Sequence, residues 1–157
     1  MPDVAYTGEW DRAEVAAYLT DATVPLRLAC RTPAGGLWML SLWYRFDADD
    51  ERLVCATSAD ADIVEYLRAD DGVAFEVSGN DPPYCGVRGN GQATISPDGE
   101  KAVLRDLLER YLGGTESALA DRLLAPEREE VAIDLDPRRL YSWDFADRMR
   151  DVDERAE

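Results

Sequence analysis

The side chains able to do chemistry in this 157-residue chain are few in kind. Histidine is absent, which removes the commonest general base and metal ligand, and with it any Ser-His-Asp or Cys-His nucleophile. The three cysteines, Cys30, Cys55 and Cys85, are an odd number without a close pair, so neither a disulfide framework nor a zinc knuckle is suggested. Cys30 and Cys55 lie in apolar runs and read as small core residues. Carboxylates are so numerous that close pairs arise by chance, and most belong to solvated faces. Chemistry therefore falls to a bound cofactor, a carboxylate, a tyrosine or nothing.

Two stretches concentrate hydroxyls and donors. Thr57-Ser58 closes the apolar run that starts at Leu53, and Tyr84-Cys85-Gly86-Val87-Arg88-Gly89-Asn90-Gly91-Gln92-Ala93 sets one arginine among glycines. Gly89 and Gly91 permit a bulge or the close approach of a neighbouring backbone, and Arg88 suits a buried ion pair as well as a ligand contact. Gly89-Asn90-Gly91 leads into a strand and no Gly-x-Gly-x-x-Gly exists, so a dinucleotide-binding turn has little support.

The elements that must position these residues are read from periodicity. Residues 9–19 form a first helix with Trp10, Val15, Tyr18 and Leu19 on one face, a lid or plug on a barrel end. Residues 24–31 alternate apolar and basic side chains, which marks a strand with one buried face, and Thr32-Pro33-Ala34-Gly35-Gly36 turns the chain into its hairpin partner at 37–46. Strands follow at 53–57, 72–77 and 87–95, with a helix capped by Ser58 and faced by Ile63, Val64 and Leu67 after the first of them. Ser96-Pro97-Asp98 signals a helix start with proline in the first turn; Val103, Leu104, Leu107, Leu108, Tyr111 and Leu112 form its stripe, and Gly113-Gly114 ends it. A further helix at 117–124 and two closing strands at 131–135 and 139–143 complete one domain over 1–149, leaving a charged, flexible tail at 150–157.

Acids outnumber bases 33 to 17, and Lys101 is the only lysine. A net charge of −16 repels nucleic acid and anionic lipid. With lysine nearly absent and aspartate ahead of glutamate, it also points to a salt-rich cytoplasm, where charge is screened within about 3 Å at molar ionic strength. No apolar stretch approaches the roughly 20 residues of a membrane helix, and Met1-Pro2-Asp3-Val4 has no signal-peptide character. The expectation is a cytoplasmic protein of a halophile.

The order of these elements, with the strand from Tyr84 to Ala93, resembles the FMN-binding split barrel of the pyridoxamine 5'-phosphate oxidase-like proteins, over about 9–149. The resemblance implies a mainly β, α+β fold, an antiparallel split β-barrel of six or seven strands, assembled as a homodimer with FMN or a deazaflavin at the subunit seam. It implies cofactor contacts from the second strand at Met39, Leu40 and Ser41, from Thr57 and Ser58, from Gly86 and Arg88, and from Trp143 on the closing strand. Trp43-Tyr44 is the aromatic pair ending the second strand, or else simply core. The family's basic phosphate-binding pair falls here on Asp62 and Ile63, and neither can donate to a dianion. An oxidoreductase-like flavoprotein acting on a small molecule is one implication; a split-barrel dimer that no longer binds flavin tightly, and is not an enzyme, is the other.

Overall fold

The computed structural model describes residues 3–149. The chain runs β1 (Ala5–Gly8), α1 (Arg12–Asp21), β2 (Leu26–Arg31), β3 (Leu37–Leu42), β4 (Tyr44–Asp47), β5 (Arg52–Ser58), α2 (Asp62–Ala69), β6 (Gly72–Ser78), β7 (Cys85–Pro97), α3 (Ala102–Leu112), α4 (Ala118–Leu123) and β8 (Glu130–Asp144). All eight strands belong to one sheet, ordered β3-β2-β6-β7-β8-β5-β4, with β1 alongside β8. The two ends of that path, β3 and β4, are consecutive in the chain with only Trp43 between them, so the backbone itself closes the sheet into a barrel. The expected single strand at 37–46 is therefore broken at Trp43: its first half pairs with β2, its second with β5.

Alternation fills the interior. Leu26, Leu28 and Cys30 of β2, Val73, Phe75 and Val77 of β6, and Leu53 and Cys55 of β5 all point into one buried cluster with Val15 and Leu19 of α1. Helix α1 starts later than expected because Asp11 is its N-cap: its carboxylate accepts from the Glu14 amide at 2.9 Å and Glu14 reaches back to Asp11. Trp10, left outside the helix, packs its ring 5.0 Å from that of Tyr18.

Three expectations are corrected. The closing segment is one strand, β8, not two. Pro137 is tolerated in its middle because β5 pairs with β8 only up to Leu135 and β1 begins at Arg139, so no ladder bond is lost on that edge. Second, α3 begins at Ala102 with Lys101 as its N-cap, since Ser96-Pro97 ends β7; the Asp98 carboxylate, three residues before the N-cap, accepts from the Leu104 amide at 3.2 Å. Third, Ser58 does not cap α2, whose N-cap is Ala61 without a side-chain bond. Strand β1, four residues without usable periodicity, was not foreseen; it covers the part of β8 that β5 vacates. The tail at 150–157 lies outside the described residues. Among the described residues no helix is long and apolar enough to cross a membrane.

Candidate functional site

Register across the sheet builds the site. On the outer face, one row runs Ser41, Arg27, Glu76, Arg88, Tyr141, and the next runs Met39, Ala29, Ala74, Asn90, Arg139. The middle strands thus offer alanines where the flanking strands offer long side chains, and a groove opens above Ala29 and Ala74. It has two lobes of about 440 and 380 Å³ that share Ala29, Ala74 and Asn90, within the range of small-molecule sites.

Gly86 lies directly opposite Trp143, and a Cβ there would stand 2.7 Å from the indole, so the glycine is what lets Trp143 lie flat across the strand. Arg88 then covers the indole, its guanidinium 4.2 Å from the ring centroid and 5.7 Å from that of Tyr141. It also pairs with Glu76 at 3.5 Å, with about half of the arginine side chain exposed, so of the two roles open to Arg88 the ion pair is a surface one and not buried.

A second pocket of about 350 Å³ lies where β3 and β5 meet α3 and α4, lined by Ser41, Trp43, Thr57, Ser58 and Leu104 among others. The buried Glu130 carboxylate sits at its edge, held by Arg128 at 2.8 Å. Trp43 stacks on Tyr111 at 5.2 Å. Tyr44 is core: fully buried, it donates its hydroxyl to the Leu19 and Ala22 carbonyls at 2.7 and 3.0 Å.

The expected contacts therefore divide. Met39, Ser41, Gly86, Arg88 and Trp143 share the outer face, and Thr57 and Ser58 line the second pocket. Ser41 joins the two, since it lines the pocket and accepts a 2.6 Å hydrogen bond from Arg27 of the groove. Leu40 points the other way, packed against the core. At the family's phosphate position, Ile63 is buried in the core, while Asp62 and Glu65 place two acids in the first turn of α2. That helix end repels the anion its dipole would otherwise attract.

Among the described residues, no cysteine or tyrosine with a shifted proton affinity is activated as a nucleophile or base. Burial pushes the Cys55 thiol up to about 12 and raises those of Cys30 and Cys85. It likewise pushes the phenols of Tyr6 and Tyr18 up to about 12 and raises Tyr44 and Tyr111. Among the described residues no group of His, Cys, Asp or Glu is arranged to hold a metal.

Residue periodicity missed four groove arginines, Arg27, Arg31, Arg138 and Arg139. The apolar and basic alternation of β2 marks the first two. Only the long-range register of β8 against β7 marks the others.

No family model and no curated protein matches the sequence. Among solved structures, a conserved hypothetical protein from Mycobacterium tuberculosis superposes with a TM-score of 0.71 at 24% identity, covering 90% of this chain and 89% of that one. An F420 reductase superposes with a TM-score of 0.61 at 26% identity over 78% of this chain and 92% of that one. A Listeria innocua protein provisionally described as a pyridoxamine 5'-phosphate oxidase gives a TM-score of 0.62 at 13% identity, covering 83% and 96%. Identities this low carry the fold and not the activity: the chain is a mainly antiparallel split β-barrel with flanking helices, the fold of these neighbours.

Proposed function

We propose that the protein is a flavin-binding, oxidoreductase-like homodimer, with FMN or a deazaflavin at the seam between two subunits and a small molecule presented to its ring. The observation that carries this reading is β3. Leu37, Trp38 and Met39 are 83, 52 and 63% exposed, an apolar stretch on a strand that also carries Ser41, where the groove and the second pocket meet. Such a stretch calls for a cover, and a second subunit laid against it would enclose a planar, apolar ligand from both sides. A flavin or deazaflavin supplies hydride or electron transfer when bound. The chain's own part is to exclude water with Met39 and Trp43, to offer the Thr57 and Ser58 hydroxyls, and to place a cation, Arg88, at the rim. The F420 reductase among the structural neighbours supports a deazaflavin as readily as FMN.

A second reading, a dimer that is no enzyme and has lost tight flavin binding, is favoured by Asp62, Ile63 and Glu65 at the end of α2. Absorption and fluorescence titration with FMN and with a deazaflavin in molar salt, paired with a light-scattering mass, separates the two. Saturable binding at one per subunit supports the first reading; a folded dimer that binds neither leaves the second. Under the first reading, Arg88→Ala weakens FMN retention by about ten-fold or more, one charge-assisted contact, with little change in melting temperature. Equal retention by variant and wild type would end that role for Arg88. Molar salt is the working medium because we read the acidic surface as that of a halophile's cytoplasmic protein, a reading in which the melting temperature rises with salt.

A further inference from the structure

The charge balance of the chain inverts in the groove. Over the whole sequence acids outnumber bases 33 to 17. The two lobes are lined by five arginines, Arg27, Arg31, Arg88, Arg138 and Arg139, and by one carboxylate, Glu76, which pairs with Arg88; Asp70 pairs with Arg31 at the edge of the larger lobe.

A bulge creates this inversion. Asn90 pairs with Arg139 but Gly91 pairs with Pro137, so Arg138 is an extra residue on β8. Alternation would send Arg138 and Arg139 to opposite faces; the bulge leaves both exposed, one beside each lobe. Gly91 makes it possible, because a Cβ there would collide with the carbonyl oxygen of Asp136. Neither Arg138 nor Arg139 makes an ion pair among the described residues. The larger lobe is lined by Arg138 and by Arg31, which pairs with Asp70 at 3.6 Å, together with Asn90 and Gln92. On its far side Arg138, with Gln92, also borders a cavity lined by Asp3, Asp50, Glu51, Asp71 and Asp136, so the arginine stands between an acidic and a basic surface.

We infer that the lobe between Arg31 and Arg138 is an oxyanion subsite that takes the phosphate or carboxylate of a small molecule, with Asn90 and Gln92 as neutral donors and Arg139 extending the field into the second lobe. Paired guanidiniums are the usual means of recognising such groups. This goes beyond the flavin reading and does not require it.

The test is calorimetric titration of the full chain with inorganic phosphate and with pyrophosphate, without flavin, at low and molar salt. One site per subunit is expected. Arg138→Ala or Arg31→Ala should each weaken pyrophosphate about 10- to 100-fold, the effect of losing one charge-assisted contact. Arg105→Ala, an exposed arginine of α3 away from the groove, should leave it unchanged. The exposed positions of Arg31 and Arg138 mean that melting temperature should barely move, which checks that the variants fold. Absence of binding by the folded wild type, or full affinity in the Arg31→Ala/Arg138→Ala double variant, would overturn the inference. So would variants that change oligomeric state with undiminished affinity, since the arginines would then be subunit contacts. Adding phosphate against FMN and against riboflavin names the source of the anion: competition with FMN alone assigns the subsite to the cofactor's phosphate, and undiminished phosphate binding to FMN-loaded protein assigns it to the substrate. Phosphate binding in a protein that takes no flavin would keep the subsite and remove the redox reading.

Discussion

The N-terminal end of α2 and the outer groove of the sheet reverse the roles that elementary electrostatics would give them. A helix N-terminus offers free amides and the positive end of a dipole, yet here Asp62 and Glu65 occupy its first turn and Ile63 is sealed into the core. A sheet face has little net dipole, yet the face above Ala29 and Ala74 is bordered by five arginines. The difference teaches that side-chain charge decides the sign of a surface: arginines gathered on a sheet face make it cationic, and two carboxylates offset the dipole of a helix end.

The comparison breaks most visibly at Ile63. Rebuilding a basic pair with Asp62→Arg and Ile63→Lys would restore an anion-attracting helix end only if position 63 faced solvent. Because its side chain is 2% exposed within the main core, Ile63→Lys leaves an uncompensated buried charge and is expected to cost about 3–5 kcal/mol, while exposed Asp62→Arg changes stability by less than about 0.5 kcal/mol. Urea unfolding of the two single variants checks this, and normal stability of Ile63→Lys would mean that the helix end remains convertible.

Gly91→Ala attacks the other side of the comparison. Its methyl group meets the Asp136 carbonyl oxygen, so the variant is expected to lose about 1–3 kcal/mol, the usual cost of forcing extra volume into packed structure. The bulge and the placement of Arg138 should be lost with it. A variant with wild-type stability and wild-type pyrophosphate affinity would show that the bulge does not organise the groove.

The smallest effect concerns Asp134, a carboxylate on β8 next to Arg52 at 3.5 Å, which shows whether a neighbouring arginine suffices to keep an acid comfortable in this sheet. Burial outweighs Arg52 and raises its proton affinity above the ordinary carboxylate value. The native state then holds the proton more tightly than the unfolded one, so the ionised carboxylate is a stability cost at neutral pH that disappears as the pH falls below its unfolded value. Asp134→Asn should therefore raise the melting temperature slightly at pH 7, by an amount that shrinks toward pH 3. A variant that is less stable at pH 7 would show that the Arg52 pair dominates instead.

Much of the fold was legible because its signals are local. The alternation of β2, the stripe of α3 and the breakers at 32–36 and 78–83 depend on neighbours within a few residues, and each reports a real element. Element ends were less legible where local and distant demands compete: Pro97 reads as a helix start but serves as the end of β7, and Pro137 reads as a break but sits where β8 has one edge free. For the candidate site, the family resemblance marked Met39, Ser41, Arg88 and Trp143, which the sheet brings to one face. It did not mark the cationic border of that face.

By itself the sequence determined a barrel-forming order of strands, a core without activated histidine or thiol, and an acidic surface, because composition and short periods act residue by residue. Only the tertiary structure decided that Trp43 bends one strand into two, that Ile63 is locked in the core, and that Arg138 and Arg139 emerge together beside Arg31. The arginines meet through pairing between segments 34 to 59 positions apart in the chain. Such a register is set by the packing of the whole sheet, and a one-residue bulge in it reverses which side chains meet the solvent.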